Sequence, residues 1–289
     1  MVSPADKQQN NSQGTEQQTQ PSFPRLFQFD LPRLQQGMLF PAQLDLSHVQ
    51  HVLDINSGDG TWAIAVAQTY PQFTITALET QPTLLHRAQI AARTSGISSI
   101  HFIQAAIQPP FTLPASSFDL INLRFMAGFT ALSDWQALTE ESLRLLRPGG
   151  ILILTDGDKP VTSGAATIQL TDMLARLLWQ AKHNLFQPTQ HSQGILITPL
   201  LTHLLRTLGC ENIQHNDDVT NFAPEMPAHT TIVNEFNRVY QELQPIFVQR
   251  GITTADEVTQ LYQQMQREMQ EADFCGIGFY LTAWGQKPA

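Results

Sequence analysis

The sequence predicts an α/β protein built on a doubly wound, seven-stranded, mostly parallel sheet, with a helical cap inserted before the last strand. Three observations lead there. Short β-rich runs alternate with helix-like stretches between residues 48 and 155, a glycine turn joins the first strand to the first helix, and a long helix-patterned insertion precedes the final strand-like run. Such alternation implies parallel strands joined by right-handed crossovers.

Taken in order, residues 1–20 (with QQNNSQGTEQQTQ) contain almost nothing to bury and are expected to be a disordered tail. Residues 21–46, with PRLFQFDLPRLQQGMLF, read as one or two short helices with Arg25 and Arg33 facing outward, either a brace on the core or a lid over a pocket. The core is expected over 47–160. There HVLDI, FTITALE, HFIQA, FDLINL and ILILT are nearly all apolar, as strands covered on both faces must be. Helices are predicted at 61–70 and 82–95.

Residues 161–289 turn helical before two last strands. Leu170, Leu174, Leu177, Leu178, Ala181 and Leu185 share one helical face. A second helix opens with Thr198 as N-cap and Pro199 in the first turn, and stops at Gly209. CENIQH reads as the sixth strand. The cap, over about 217–274, holds two helices. Val233, Phe236, Tyr240, Leu243 and Phe247 stripe the first; the second opens with a capping box from Thr254 to Glu257 and carries Val258, Leu261, Tyr262, Met265 and Met269. Simple packing accounts for these stripes, though an apolar aromatic cap would also suit a small organic substrate. GIGFYLTAWGQK closes the sheet.

Composition narrows the function. Sixteen basic against 25 acidic residues give a net charge of −9 with no basic run, which argues against nucleic acid as a partner. Two cysteines, Cys210 and Cys275, fit a reducing compartment and supply too few ligands for a structural metal site. No apolar leader or bilayer-length stretch is evident, so no membrane partner and a cytoplasmic location are expected.

The most informative segment is VLDINSGDGTW, residues 52–62. A strand ends near Asp54, and a turn with Gly58 and Gly60 leads into a helix. Glycine allows positive φ and close backbone approach to a ligand, and the helix N-terminus offers free N–H groups. Asp54 can fix the loop. Glu79, at the end of the next strand, suits a ribose diol. The loop alone also satisfies the dinucleotide pattern G-x-G-x-x-A, so NAD stays open on these residues.

VLDINSGDG resembles motif I of class I S-adenosylmethionine-dependent methyltransferases. ITALET resembles their acidic second-strand motif, and HFIQAAI, FDLINLRF and LRPGGILILT resemble the third, fourth and fifth strand motifs in order. The resemblance covers residues 48–156. It implies S-adenosyl-L-methionine as cofactor, S-adenosyl-L-homocysteine as product, and a small-molecule acceptor. It also implies that Asn56, Ser57 and Gly58 approach the methionine part, that Glu79 holds the ribose with Thr80 and Gln81 beside the adenine, that Ala105, Ala106 and Ile107 line the adenine pocket, and that Leu123 and Arg124 lie near the transferable methyl.

Two departures stand out. Asn56 replaces the first motif glycine, and Asn best tolerates left-handed geometry among the other residues. Ala106 stands where the family usually carries an Asp for the adenine amino group, a loss worth about 1.5–3 kcal/mol. Methyl transfer needs alignment more than a universal base. Among His183, His191, His203 and His229 the loop residue His191 is the favoured weak candidate. Asp119 and Asp156 are expected to be structural. Two alternatives to a methyltransferase remain: a cofactor-binding protein of the same fold that transfers no methyl group, and an interaction module with an empty pocket. A homodimer is an open option.

Overall fold

The computed structural model describes residues 39–126, 130–183 and 197–289. Eight strands form one sheet: β1 (His51–Ile55), β2 (Thr74–Glu79), β3 (Ile100–Gln104), β4 (Phe118–Arg124), β5 (Leu146–Gly157), β6 (Val161–Thr162), β7 (Glu211–Asn221) and β8 (Gly276–Gln286). Seven described helices accompany them: α1 (Thr61–Thr69), α2 (Pro82–Thr94), α3 (Leu132–Leu145), α4 (Ala165–Gln180), α5 (Thr198–Thr207), α6 (His229–Gln249) and α7 (Ala255–Glu268). The strand order is β3-β2-β1-β4-β5-β8-β6, with β7 also paired to β8. Strands β1 to β5 pair in parallel, and β8 runs antiparallel to β5, β6 and β7. The predicted doubly wound architecture is therefore present, with the two-residue β6 as an eighth strand.

Successive strand residues point to opposite faces, and both faces are covered. Val52, Ile75, Leu120, Ile151 and Ile153 pack beneath α1 with Trp62 and Val66. Their neighbours Leu53, Ile121, Leu152 and Leu154 pack beneath α3 and α5 with Trp135, Leu138, Leu201 and Leu205. Each such fully buried aliphatic side chain contributes roughly 1.5–3 kcal/mol relative to exposure. This double burial is why the strands read as continuous apolar runs rather than alternating ones.

The described end of the N-terminal segment packs against α1. Phe40 meets Trp62 and Tyr70 edge to face at 5.5 and 5.6 Å, and the Trp62 indole N–H donates to the Leu39 carbonyl at 3.2 Å. The predicted tail, Arg25 and Arg33 lie outside the described residues, as does Leu185.

Three expectations change. The sixth strand is longer than CENIQH: β7 continues through Asn221, into the range expected for the cap, because it pairs along β8 from Gln286 to Ile277. Thr198 is the first residue of α5 rather than its cap; Ile197 holds that position, and the Thr198 hydroxyl donates to Asp158 at 2.6 Å. Phe236, Tyr240 and Phe247 are almost wholly buried in a core that α6 and α7 share with α4, where the Tyr240 and Thr171 hydroxyls are 3.0 Å apart. Simple packing was the correct reading of those stripes. One half of the capping box is present, the Thr254 hydroxyl accepting the Glu257 N–H at 3.3 Å, while the Glu257 carboxylate accepts the Thr253 hydroxyl at 2.5 Å.

Candidate cofactor site

At the carboxyl end of β1 the backbone leaves the sheet through three left-handed residues: Asn56 at φ 69°, Gly58 at φ 68° and Gly60 at φ 79°. Asn56 thus occupies the geometry its residue type suggested. Gly60 is also needed for space, since a Cβ there would lie 2.8 Å from the Ala88 Cβ on α2. The turn is held by the Ser57 N–H, which donates to the Leu78 carbonyl at 2.9 Å, and by the Gly60 N–H, which donates to Ser57 at 3.1 Å.

Glu79 sits opposite this turn at the end of β2 and is fully buried. Its Oε2 accepts the Gly58 N–H at 2.8 Å, and its Oε1 accepts the Gln81 N–H at 2.8 Å and the Thr80 hydroxyl at 3.2 Å. The same carboxylate that a ribose diol would meet therefore already sets the distance between the two loops. The Ala105 N–H donates to the Glu79 carbonyl at 3.1 Å, which brings the end of β3 to the same place.

A second polar group lies where β1 faces β4. Asp54, fully buried, is in register with Asn122 and accepts its amide N–H at 3.0 Å. Arg124 places an Nη2 3.7 Å from Asp54 and its guanidinium 4.8 Å from the centre of the Trp62 ring. The Asn56 amide donates to the Arg124 carbonyl at 3.4 Å. These contacts also join β1 to β4 at Asp54. Beside Arg124 lies a cavity of about 30 Å³ lined by Phe40, Trp62, Asn122, Arg124, Thr155 and Thr282 among others. It has room for a water or two and not for a cofactor.

The sequence-predicted residues thus divide. Ser57, Gly58, Glu79, Thr80, Gln81 and Ala105 converge through hydrogen bonds at the carboxyl ends of β1, β2 and β3, while Asn56 bonds to the end of β4. Ala105 and Ile107 pack against the apolar cluster that contains Leu78 and Leu123. Ala106 is exposed, while Leu123 is 1 % exposed and faces the core. Arg124 joins Asp54 and Trp62. Three contributors were missed. Asn122 stood out as an amide inside an apolar strand, and Trp62 directly follows the glycine loop. Phe125, at φ 53° and edge to face with Tyr280 at 6.2 Å, carries no local signal.

The other candidates are placed elsewhere. His229 contacts the Phe222 carbonyl at 3.0 Å, His203 contacts Thr207 on α5, and His183 follows α4. His191 lies outside the described residues. Asp119 is structural, as expected: it accepts the Gln50 and His51 N–H groups and pairs with Arg147. Asp156 accepts the Gly157 N–H at 2.9 Å. Among the described residues no cluster of His, Cys, Asp and Glu could hold a metal, and no helix is long and apolar enough to cross a membrane.

The donor set fits a nucleoside cofactor. Besides the Glu79 carboxylate, the Ser57 hydroxyl in the same turn is 4 % exposed as a residue and has no hydrogen-bond partner. A buried hydroxyl without a partner is costly unless a ligand or water completes it.

Residues 52–150 match the family model for a methyltransferase domain. Methyltransferase str3 of Strobilurus tenacellus is 32% identical over 117 residues, 40% of this chain and 39% of that protein. Malonyl-[acyl-carrier protein] O-methyltransferase of Paenibacillus sp. (strain JDR-2) is 31% identical over 168 residues, 58% of this chain and 57% of its own. The chain thus spans roughly two fifths to three fifths of these curated relatives. A solved methyltransferase candidate of Bacillus halodurans C-125 superposes with a TM-score of 0.51 at 19% identity, covering 90% of this chain and 99% of the other, a likeness of fold.

Proposed function

From a chain that carries the class I S-adenosylmethionine-dependent methyltransferase fold, we propose an enzyme that transfers a methyl group to a small organic acceptor. The observation that carries this reading is the buried Glu79 carboxylate bonded to the Gly58 amide, with the partnerless Ser57 hydroxyl beside it. When bound, S-adenosyl-L-methionine supplies the electrophilic methyl, and S-adenosyl-L-homocysteine is the product.

The residues divide the remaining work. Glu79 accepts from the ribose hydroxyls, and Ser57 completes its hydrogen bonding on the ligand. Thr80 and Gln81 flank the adenine on one side and Ala105, Ala106 and Ile107 on the other. Asn56 approaches the methionine part and, with Arg124 near the transferable methyl, ties the ends of β1 and β4 together. The acceptor approaches the carboxyl end of β4, where Phe125 meets Tyr280 of β8. A small acceptor is supported by the net charge of −9 and the lack of a basic run for nucleic acid. Cys210 and Cys275, both unbridged, support a cytoplasmic setting.

Ala106 favours one second reading, a protein that binds the cofactor without transferring its methyl group. The test is calorimetric titration with S-adenosylmethionine and S-adenosylhomocysteine, followed by assay of S-adenosylhomocysteine release across a panel of small acceptors. Micromolar binding with product release supports the enzyme. Binding with no release from any acceptor supports the second reading, and absence of binding removes both.

A further inference from the structure

Four side chains stand side by side on one face of the sheet, level with the carboxyl end of β4. Arg124 is in register with Thr155 of β5, Thr155 with Thr282 of β8, and Thr282 with Asn216 of β7. Directly paired residues share a face. A guanidinium, two hydroxyls and an amide therefore form one polar row across four strands. Two residues back on the same face stand Ile153 and Trp284, paired, buried and apolar. Strands buried on both faces are ordinarily apolar throughout. Thr155 is 4 % and Thr282 7 % exposed, and valine would fill either position without the cost of burying a hydroxyl.

All four residues line the cavity of about 30 Å³ beside Trp62. About 10–15 Å³ of such space holds one water, so the cavity has room for two oxygen atoms. Among the described residues that line it, Arg124 alone is charged. Its guanidinium carbon lies 4.8 Å from the centre of the Trp62 ring, and a stacked guanidinium still presents its N–H groups at its edge. Asp54 is 3.7 Å from Nη2, longer than the roughly 2.7–2.9 Å of a charge-assisted bond. The Thr155 and Thr282 hydroxyls are 3.0 Å apart, so one proton is used between them and the other remains to donate.

One positive charge and several donors thus surround a space for two oxygens. A carboxylate has that shape and takes paired N–H bonds from a guanidinium. A cation would meet the guanidinium, and an apolar group would leave the donors unmet. We propose that the row Arg124, Thr155, Thr282 and Asn216 is a carboxylate-binding pocket. It adjoins the glycine turn, because the Asn56 amide donates to the Arg124 carbonyl and Trp62 is the second residue of α1. The carboxylate belongs either to the acceptor or to the amino-acid end of the cofactor. That choice rests on the function proposed above; the pocket itself rests on the row and the cavity.

The test uses the full chain with acetate as probe, and acetamide and sodium chloride as controls. The Trp62 indole N–H is followed by ¹⁵N–¹H NMR and assigned with Trp62→Phe. The expected result is a saturable shift with acetate, with a dissociation constant on the order of millimolar, and no saturable shift with either control. Thr282→Val keeps the side-chain shape and should weaken acetate binding about tenfold. If it does not fold, Asn216→Leu on the outer strand takes its place. No saturable shift in the wild type, an equal response to a control, or unchanged affinity in the folded variant overturns the pocket. Repeating the titration with saturating S-adenosylhomocysteine separates the sources. Competition assigns the pocket to the cofactor's carboxylate, and acetate binding alongside assigns it to the acceptor's. A wild type that binds acetate but not S-adenosylhomocysteine overturns the proposed function and leaves the pocket standing.

Discussion

Glu79 and Gly58 are joined by a hydrogen bond of 2.8 Å from the loop amide to a fully buried carboxylate, whose other oxygen accepts the Gln81 N–H. One side chain therefore couples the loop after β1 to the loop after β2. Bonds to a charged acceptor contribute about 1.5–3 kcal/mol each, and removing the acceptor leaves both donors buried. Glu79→Ala should lose about 2–4 kcal/mol of stability in urea unfolding. It should also weaken S-adenosylhomocysteine binding at least tenfold by calorimetry, with Glu79→Gln falling between. An alanine variant as stable as the parent would show that the loops are set by something else.

The Arg124–Asp54 pair makes a sharper stability prediction. Asp54 is fully buried, and Arg124 lies 3.7 Å from it with only 12% of its side chain exposed. Removing one member of a buried pair leaves an uncompensated charge, at a cost of about 3–5 kcal/mol. Arg124→Leu keeps the contact with Trp62 and loses the charge, so it should fall near the lower end. Arg124→Lys should recover part of the loss. Denaturant midpoints of the two variants, compared at equal slope, check the order.

Asn56 at φ 69° gives a test of backbone strain. Left-handed geometry costs an ordinary L-residue roughly 1–2 kcal/mol, and Asn and Gly less. Asn56→Gly should leave the melting temperature nearly unchanged, its backbone relief offset by greater freedom of the unfolded chain. Asn56→Val should destabilise by roughly 1–2 kcal/mol, because a β-branched side chain tolerates positive φ worst. Equal stability of the two would mean that the turn adopts another geometry in solution.

The pattern of what the sequence disclosed follows from physics. The sheet was legible because strands covered on both faces are nearly all apolar, as ILIL is and as VLDI is apart from Asp54. The glycine turn was legible because few residues tolerate φ near 70°, and Asn56 is one of them. The extent of β7 was hidden. Its run ENIQHNDDVTN is polar and mostly exposed, and it is a strand only because β8 lies beside it. The cap aromatics were legible as packing residues, but helical spacing shows which face is buried and not that α4 helps to bury it. The Asp54–Asn122 contact needed the register of β1 against β4, which no local pattern specifies.

Asp119 carries the pH prediction. It stands at the amino end of β4, beside His51 and Arg147. Partial burial alone would raise its pKa. The His51 N–H, the Arg147 guanidinium and the Gln50 N–H outweigh that and hold the carboxyl below its ordinary value. A carboxylate with a lowered folded-state pKa stabilises the fold above its unfolded pKa of about 3.9, and the contribution disappears as pH falls through the lower folded value. Glu141 acts in the same direction, held low mainly by Arg144 with help from the Phe111 N–H. Asp119→Asn should therefore be less stable than the parent at pH 7, and the gap should narrow as both are acidified below about pH 4. Melting temperatures from pH 7 to pH 2.5 measure this directly. Parallel curves for parent and variant across that range would mean that Asp119 titrates alike in the folded and unfolded chain.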